Sequence, residues 1–243
     1  MTSPISVVVI ALNEEETIGH LLNDLKAQTY TEFEVLLVDS NSDDKTVEIA
    51  TEIGSELPAF KVIEMEERGA SLGRNVGAEH ATHERLVFLD SDVRIGPDFL
   101  AQAISALDKT GLKVAGGRMN STAPESKIRW GIKSFDMGMM ASQFVFPTAV
   151  GACIFSTKTV HQDIGGFNTA IKLCEDCDYV KRASRSYRFR MIPVFFEFDA
   201  RRLRQDGVVK TGFTYLKANT FRLFFGELES DQIRYEFGHY KKA

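Results

Sequence analysis

The sequence predicts an α/β fold with a Rossmann-like, mostly parallel central sheet flanked by helices. Three observations carry this. Short apolar runs and stretches of helical periodicity alternate four times in about the first 90 residues. The apolar runs are continuous rather than alternating, which marks strands buried on both faces. Each run gives way to a polar cluster, and in open α/β sheets ligands bind beyond the carboxyl ends of the strands.

The first strand is Ile5–Ala11. Asn13, followed by Glu14, Glu15 and Glu16, reads as a helix start with a capping side chain and acids in the first turn. Ile18, Leu21, Leu22 and Leu25 then supply the helical apolar spacing. Phe33–Val38 is a second strand, Asp39–Asp44 a polar turn and Thr46–Glu56 a helix. Phe60–Met65 is a third strand, Gly69–His80 a glycine-bearing loop and helix, and Arg85–Leu89 a fourth strand ending in Asp90-Ser91-Asp92. The second half is less regular. Helix is expected over Phe99–Leu107 and Glu175–Ser184, and strand over Lys113–Met119, Ala152–Ser156 and Arg188–Phe198. Gly165-Gly166-Phe167 reads as a turn, and Ile128–Phe144 is mixed and rich in Met and Phe.

The chain has 243 residues, 44% hydrophobic and 26% charged, enough for a sizeable core without disulfides. Its three cysteines, Cys153, Cys174 and Cys177, are an odd number with no signal peptide before them, so a reducing, cytoplasmic setting is expected. Cys174 and Cys177 have C-x-x-C spacing but no second ligand pair nearby. The net charge of −5 is unevenly spread: from Val180 onward the balance is +7, and before it −12. The basic end suits a phosphate-bearing ligand or an anionic membrane surface, and no nucleic-acid partner is expected. No apolar run reaches the length of a membrane span. Thr211–Leu228 carries Phe213, Leu216, Thr220, Leu223 and Phe224 on one helical stripe, which either packs on the domain or lies on a membrane surface.

Five constellations carry chemistry. Asp90 and Asp92, two apart at a strand end, can share a hard cation with a diphosphate, since Mg²⁺ and Mn²⁺ prefer oxygen ligands and keep positions open for substrate. Asp39 either accepts N–H groups of a nucleobase or caps its own turn. Gly69–Gly77 holds Arg74 among glycines that allow close backbone approach, although it is neither a P-loop nor G-x-G-x-x-G. Glu175 and Asp176, with Asp178 close behind, offer a carboxylate to take a proton from an attacking hydroxyl, or are acids favoured at a helix start. Arg201-Arg202-Leu203-Arg204 suits a leaving diphosphate.

Taken in order from Ile5 to Gly207, these segments resemble the family 2 inverting glycosyltransferases, which have the GT-A fold. Val9–Glu14 resembles the family's opening strand and N-E turn, and Val38–Thr46 its V-D-D-G-S-x-D-x-T segment, with Ser40 in place of the second Asp. Gly69–Gly77 resembles its G-x-x-x-A-R-N-x-G loop and Asp90-Ser91-Asp92 its D-x-D. Gly165-Gly166-Phe167 with Glu175–Asp178 resembles its G-G-F and E-D-x-D region, and Arg201–Gln205 its Q/R-x-x-R-W segment, with Gln205 where Trp is usual.

The resemblance implies a transferase domain over 1–210, with a nucleotide-sugar half (1–119) and an acceptor half (120–210), followed by an amphipathic tail (211–243). It implies a UDP- or GDP-sugar donor held by Leu12, Asn13, Glu14, Asp39, Arg74, Asp90, Ser91, Arg201 and Arg204. Mg²⁺ or Mn²⁺ would sit on Asp92 and Asp90, with Asp176 as the base and Glu175 supporting it. The acceptor would be a saccharide or lipid-linked hydroxyl or phosphate, and the stripe at 211–228 could touch the cytoplasmic membrane face. Cys153 could line the acceptor pocket, although a small buried Cys more often packs. Competing readings are a sugar-phosphate nucleotidylyltransferase, which the Ala11–Glu14 segment disfavours, and a non-catalytic nucleotide-sugar-binding regulator or scaffold.

Overall fold

The computed structural model describes residues 3–171, 173–207, 210–213, 217 and 221. The first half alternates as expected: β1 (Ile5–Ala11), α1 (Ile18–Lys26), β2 (Phe33–Asp39), α2 (Thr46–Gly54), β3 (Phe60–Glu64), α3 (Ala70–His80) and β4 (Arg85–Asp90). A two-residue strand, β5 (Arg94–Ile95), then leads into α4 (Phe99–Thr110) and β6 (Val114–Asn120). After these come α5 (Ser126–Ser142), β7 (Cys153–Thr157), α6 (Lys158–Asp163), α7 (Glu175–Ala183), β8 (Phe189–Glu197) and α8 (Arg201–Asp206).

All strands join one sheet in the order β3-β2-β1-β4-β7-β6-β8-β5. The β3-β2-β1-β4 half is parallel. The rest is mixed: β7 runs antiparallel to both β4 and β6, β6 pairs parallel with β8, and β5 closes the edge antiparallel to β8. The sheet is therefore less parallel than the sequence pattern predicts, because one antiparallel strand is inserted at its centre. β1 and β4 are almost wholly buried, which explains their unbroken apolar runs. α3 lies close against β1, since a Cβ on Gly77 would come 2.2 Å from Val8 Cγ1.

Register fixes the site. Ala11 pairs with Asp39 and Ile10 with Asp90, so three strands end level with one another. Strand order reverses at β1, whose next element pairs on one side while β4 pairs on the other, and the crevice of an open α/β sheet opens at such a point.

One expectation fails at the start of α1. The helix begins at Ile18, and its first turn contains no acid. Asn13 adopts φ 56° and accepts the Asp43 N–H on Oδ1, while the Glu14 N–H is donated to Thr46 Oγ1. The Asn13–Glu16 stretch is a loop sewn to the β2–α2 turn, and a left-handed Asn starts no helix.

An aromatic group within the same core packs α6 and α7 against β4. Phe167 stacks on Tyr179 with centroids 4.1 Å apart, and Phe88 meets both edge-on. His161 lies in this group, its Nδ1 3.3 Å from the Tyr179 hydroxyl, which also contacts Ser156 Oγ at 2.7 Å. Burial, then the nearby Arg182 charge, pushes the His161 imidazole down from 6.5 to about 4. As pH falls through 6.5 towards 4, the unfolded chain binds a proton that the folded chain refuses, so stability is lost over that window. Relative to a His161→Gln variant, the parent is expected to lose urea midpoint between pH 6.5 and 4; parallel pH profiles would contradict this.

Cys153, considered above for the acceptor pocket, is instead core packing. It is 1% exposed, and its Sγ would stand 2.5 Å from a Cβ on Gly117. Among the described residues, no helix is long and apolar enough to cross a membrane. Of the 211–228 stripe, Phe213 is exposed, while Leu216, Thr220, Leu223 and Phe224 lie outside the described residues.

Candidate active site

The site is built on the level carboxyl ends of β1, β2 and β4. Leu12 is buried at the exit of β1. Asn13 donates its N–H to Ser42 Oγ at 2.9 Å, and Ser42 donates its own N–H and hydroxyl to the Asp39 carboxylate at 2.8 and 2.5 Å. Asp39 thus caps its turn, as the plainer sequence reading has it.

Glu14 is 6% exposed and receives hydrogen bonds from Thr17 Oγ1 at 2.5 Å and Arg201 Nη2 at 2.7 Å. Burial pushes its carboxyl above the usual range against both partners. Arg201, at the start of α8, also lies 2.6 Å from Asp199 and 3.6 Å from Asp92. Ser91 is buried and donates its N–H to the Ile10 carbonyl, locking the D-x-D turn onto β1. Arg204 is exposed and pairs with Glu125; it lines an adjoining pocket that also contains Asp92.

Arg74, expected to approach the donor, pairs here with two carboxylates of the site. Its side chain is 3% exposed, and its two terminal nitrogens fork between Asp90 Oδ1 and Glu175 Oε1, each at 2.8 Å. Neighbouring Asn75 holds both the N–H and the carbonyl of Phe167. The Arg-Asn pair of α3 therefore fastens the two halves of the chain together. Gly165 and Gly166 both have positive φ in the turn that allows this, and a Cβ on Gly166 would meet Asn75 Oδ1 at 2.7 Å.

The fork brings the second carboxylate pair to the first. Arg74, Asp90, Asp92, Gly151, Glu175 and Asp176 line one pocket. Asp176 accepts the Gly151 N–H on Oδ2 at 2.6 Å and the Cys177 N–H on Oδ1 at 2.7 Å. Burial, then the charge of Asp176, pushes the Glu175 carboxyl up to about 7 despite Arg74.

Three contributors escaped sequence reasoning: Asn75, Gly151 and Asp199. Asn75 adjoins Arg74 and Asp199 lies two residues before Arg201, but nearness in sequence assigns no role. Gly151 is tightly bounded, since a Cβ there would lie 2.6 Å from Arg74 Nη2 and 3.4 Å from Asp176 Cβ. Because the ion pairs pin Arg74, Gly151→Ala is expected to destabilise the fold by about 1–3 kcal/mol. A lower urea midpoint would register this, and an unchanged one would show that the guanidinium can move aside.

The site is crowded with negative charge. Glu14, Asp90, Asp92, Glu175, Asp176 and Asp199 face two guanidiniums, Arg74 and Arg201. Burial, then Asp90, Glu14 and Asp199, pushes Asp92 up to about 8. Among the described residues, no group of three or more His, Cys, Asp or Glu is gathered to hold a metal unaided.

The family model for glycosyl transferase family 2 matches residues 6–165. This chain belongs to glycosyltransferase family 2. Within the family, glycosyltransferase AglE of Haloferax volcanii is 30% identical over 187 residues, covering 74% of this chain and 61% of that protein. Poly(ribitol-phosphate) beta-N-acetylglucosaminyltransferase TarS of Staphylococcus aureus is 37% identical over 108 residues, 43% of this chain and 19% of TarS. The chain thus corresponds to part of each relative. Among solved structures, S. aureus TarS 1-349 in complex with UDP-GlcNAc matches with a TM-score of 0.65 at 24% identity, covering 80% of this chain and 58% of that one. Mannosyltransferase PcManGT from Pyrobaculum calidifontis, in complex with GDP-Man and Mn²⁺, matches with a TM-score of 0.67 at 23% identity, covering 89% and 65%. At these identities the likeness concerns the fold, which is GT-A. The family match ends at Gly165, so Glu175, Asp176 and Arg201 join the site by geometry.

Proposed function

We propose that this chain is an inverting, metal-assisted glycosyltransferase moving a sugar from a UDP- or GDP-sugar to a hydroxyl or phosphate acceptor. The observation that supports this most is the Arg74 fork, which joins Asp90 at the end of β4 to Glu175 at the start of α7. It sets groups suited to a leaving diphosphate beside groups suited to an attacking hydroxyl.

The donor's base and ribose fit the strand ends at Leu12, Asn13, Glu14 and Asp39, whose carboxylate keeps lone pairs beyond those given to Ser42. The donor set at Asp92 and Asp90 fits Mg²⁺ or Mn²⁺. Both side chains supply oxygen, the surrounding carboxylates outnumber the guanidiniums, and substrate oxygens would complete the shell. Bound there, the cation would offset charge on the departing diphosphate. Arg201, beside Asp92, adds positive charge on the same side.

Asp176 accepts the acceptor's proton as its oxygen bonds to the anomeric carbon and the bond to the diphosphate breaks. Gly151 and Cys177 N–H groups hold the carboxylate in place. Glu175, fixed by Arg74, orients the acceptor. One displacement from the opposite face inverts the anomeric centre. A lipid-linked acceptor draws support from the sequence pattern only, through the apolar stripe at 211–228 and the basic end of the chain.

Slow donor hydrolysis tests the reading without a known acceptor. UDP- and GDP-hexoses are incubated with protein and Mn²⁺, and the first-formed sugar is followed by NMR before it mutarotates. An α-linked donor is expected to release the β anomer first. Early α anomer would refute inversion, and no hydrolysis of any donor would favour the non-catalytic binding reading.

A further inference from the structure

A second cavity lies along the same sheet edge. Because β6 runs parallel to β4 by way of antiparallel β7, its carboxyl end opens on the same side as Asp90. There a groove of about 490 Å³ lies among β6, α5 and β8. Two aromatic rings stand out in it, Trp130 at 68% exposure and Phe195 at 45%. Rings left this exposed contribute little to the core, and where they cluster in a groove they mark a binding surface.

The cations around these rings are of two kinds. Arg118 lies over Phe195 at 4.8 Å and is gripped by Asp136, whose Oδ2 accepts from Nε and Nη2 at 3.1 and 2.8 Å. Asp136 is 2% exposed and takes the Met119 N–H on its other oxygen. That pair is neutral and fixes the floor. Arg129 gives one nitrogen to the Ala123 and Pro124 carbonyls, and Lys133 lies 5.6 Å over the Trp130 ring. Among the described residues, neither is hydrogen-bonded to a carboxylate. Two positive charges thus flank exposed rings on a chain of net charge −5.

Flat rings suit the C–H face of a sugar, and an adjacent cation suits its phosphate through charge-assisted hydrogen bonds; Lys133 is that cation, since Arg129 also feels the charge of Glu125. The groove also shares a wall with the pocket that adjoins the transfer pocket. Ser121 lines both the groove and the pocket containing Asp92, and Asp92 lines the transfer pocket too.

We infer that the Trp130–Phe195 groove binds a sugar-phosphate unit of a soluble acceptor chain, at a distance from the hydroxyl that reacts. Its role as an acceptor subsite rests on the transferase reading; the binding itself does not. Trp130 is the chain's only tryptophan, so its fluorescence reports the groove directly.

The test titrates the protein with a hexose 1-phosphate, the uncharged hexose, inorganic phosphate and anionic phospholipid vesicles. The hexose phosphate is expected to give a saturable change in Trp130 emission at concentrations where hexose or phosphate alone gives less. Exposed Lys133→Ala should weaken it about tenfold. No saturable change, an unaltered response in Lys133→Ala, or a response to vesicles alone would overturn the inference, the last by making this face a membrane contact. Calorimetry with UDP and GDP on the same sample separates the two proposals. Nucleotide binding without a sugar-phosphate response removes the subsite only; the reverse removes the donor-site reading, and with it the acceptor role, but leaves the groove's binding in place.

Discussion

Asp176→Asn is expected to lower turnover by about 10²–10⁴-fold, the usual contribution of a positioned general base, while nucleotide affinity stays close to the parent's. The side chain keeps its size, and one oxygen can still accept from Gly151 or Cys177, whose N–H groups now both converge on the carboxylate. What it loses is the capacity to take the acceptor's proton. Donor hydrolysis and transfer should fall together, with the thermal midpoint as a check that the Gly151 loop has not moved. Full activity with Asn in place would mean that another group, Glu175 being the nearest, serves as the base.

Arg74→Met is expected to carry the largest stability cost, about 3–5 kcal/mol, the range for removing one partner of a buried ion pair. Two carboxylates lose their common partner. Glu175, with a side chain 16% exposed, should account for more of the loss than Asp90, which is 34% exposed and can recover water. The Phe167 ring, 5.3 Å from the guanidinium, also loses a contact. Arg74→Lys should rescue little, since one ammonium cannot reproduce a planar fork between two acceptors. Adding Glu175→Gln to Arg74→Met should restore part of the urea midpoint, because the amide needs neither a buried charge nor the proton that Glu175, already raised to about 7 beside Arg74, would have to take up. An unchanged midpoint in Arg74→Met would show that the fork does not hold the halves together.

The strand-end half of the site is readable in the sequence because it is local. Asp39 and Asp90 follow unbroken apolar runs, and burial on both faces dictates those runs as well as the parallel pairing that levels their ends. The E-D pair is readable for a similar reason, as acids gathered at the first turn of α7. The fork is not readable, since Arg74 and Glu175 are 101 residues apart and Arg201 and Glu14 are 187 apart. Nothing in the local pattern around Arg74 announces that it ties two carboxylates. The start of α1 misleads because Asn followed by acids is a sound capping signal, here overridden by bonds to a turn thirty residues away. The antiparallel insertion of β7 is likewise tertiary, since its apolar run reads the same in either direction.

The most direct test of a metal-assisted donor site at the ends of β1, β2 and β4 is calorimetric titration with UDP and GDP. It should be run with Mn²⁺ and with a chelator, on the parent and on Asp92→Ala. One nucleotide should bind tightly only with Mn²⁺, and the variant should show the same weak, metal-independent binding in both conditions. Binding that ignores the chelator in the parent, or that keeps its metal dependence in Asp92→Ala, would contradict the account.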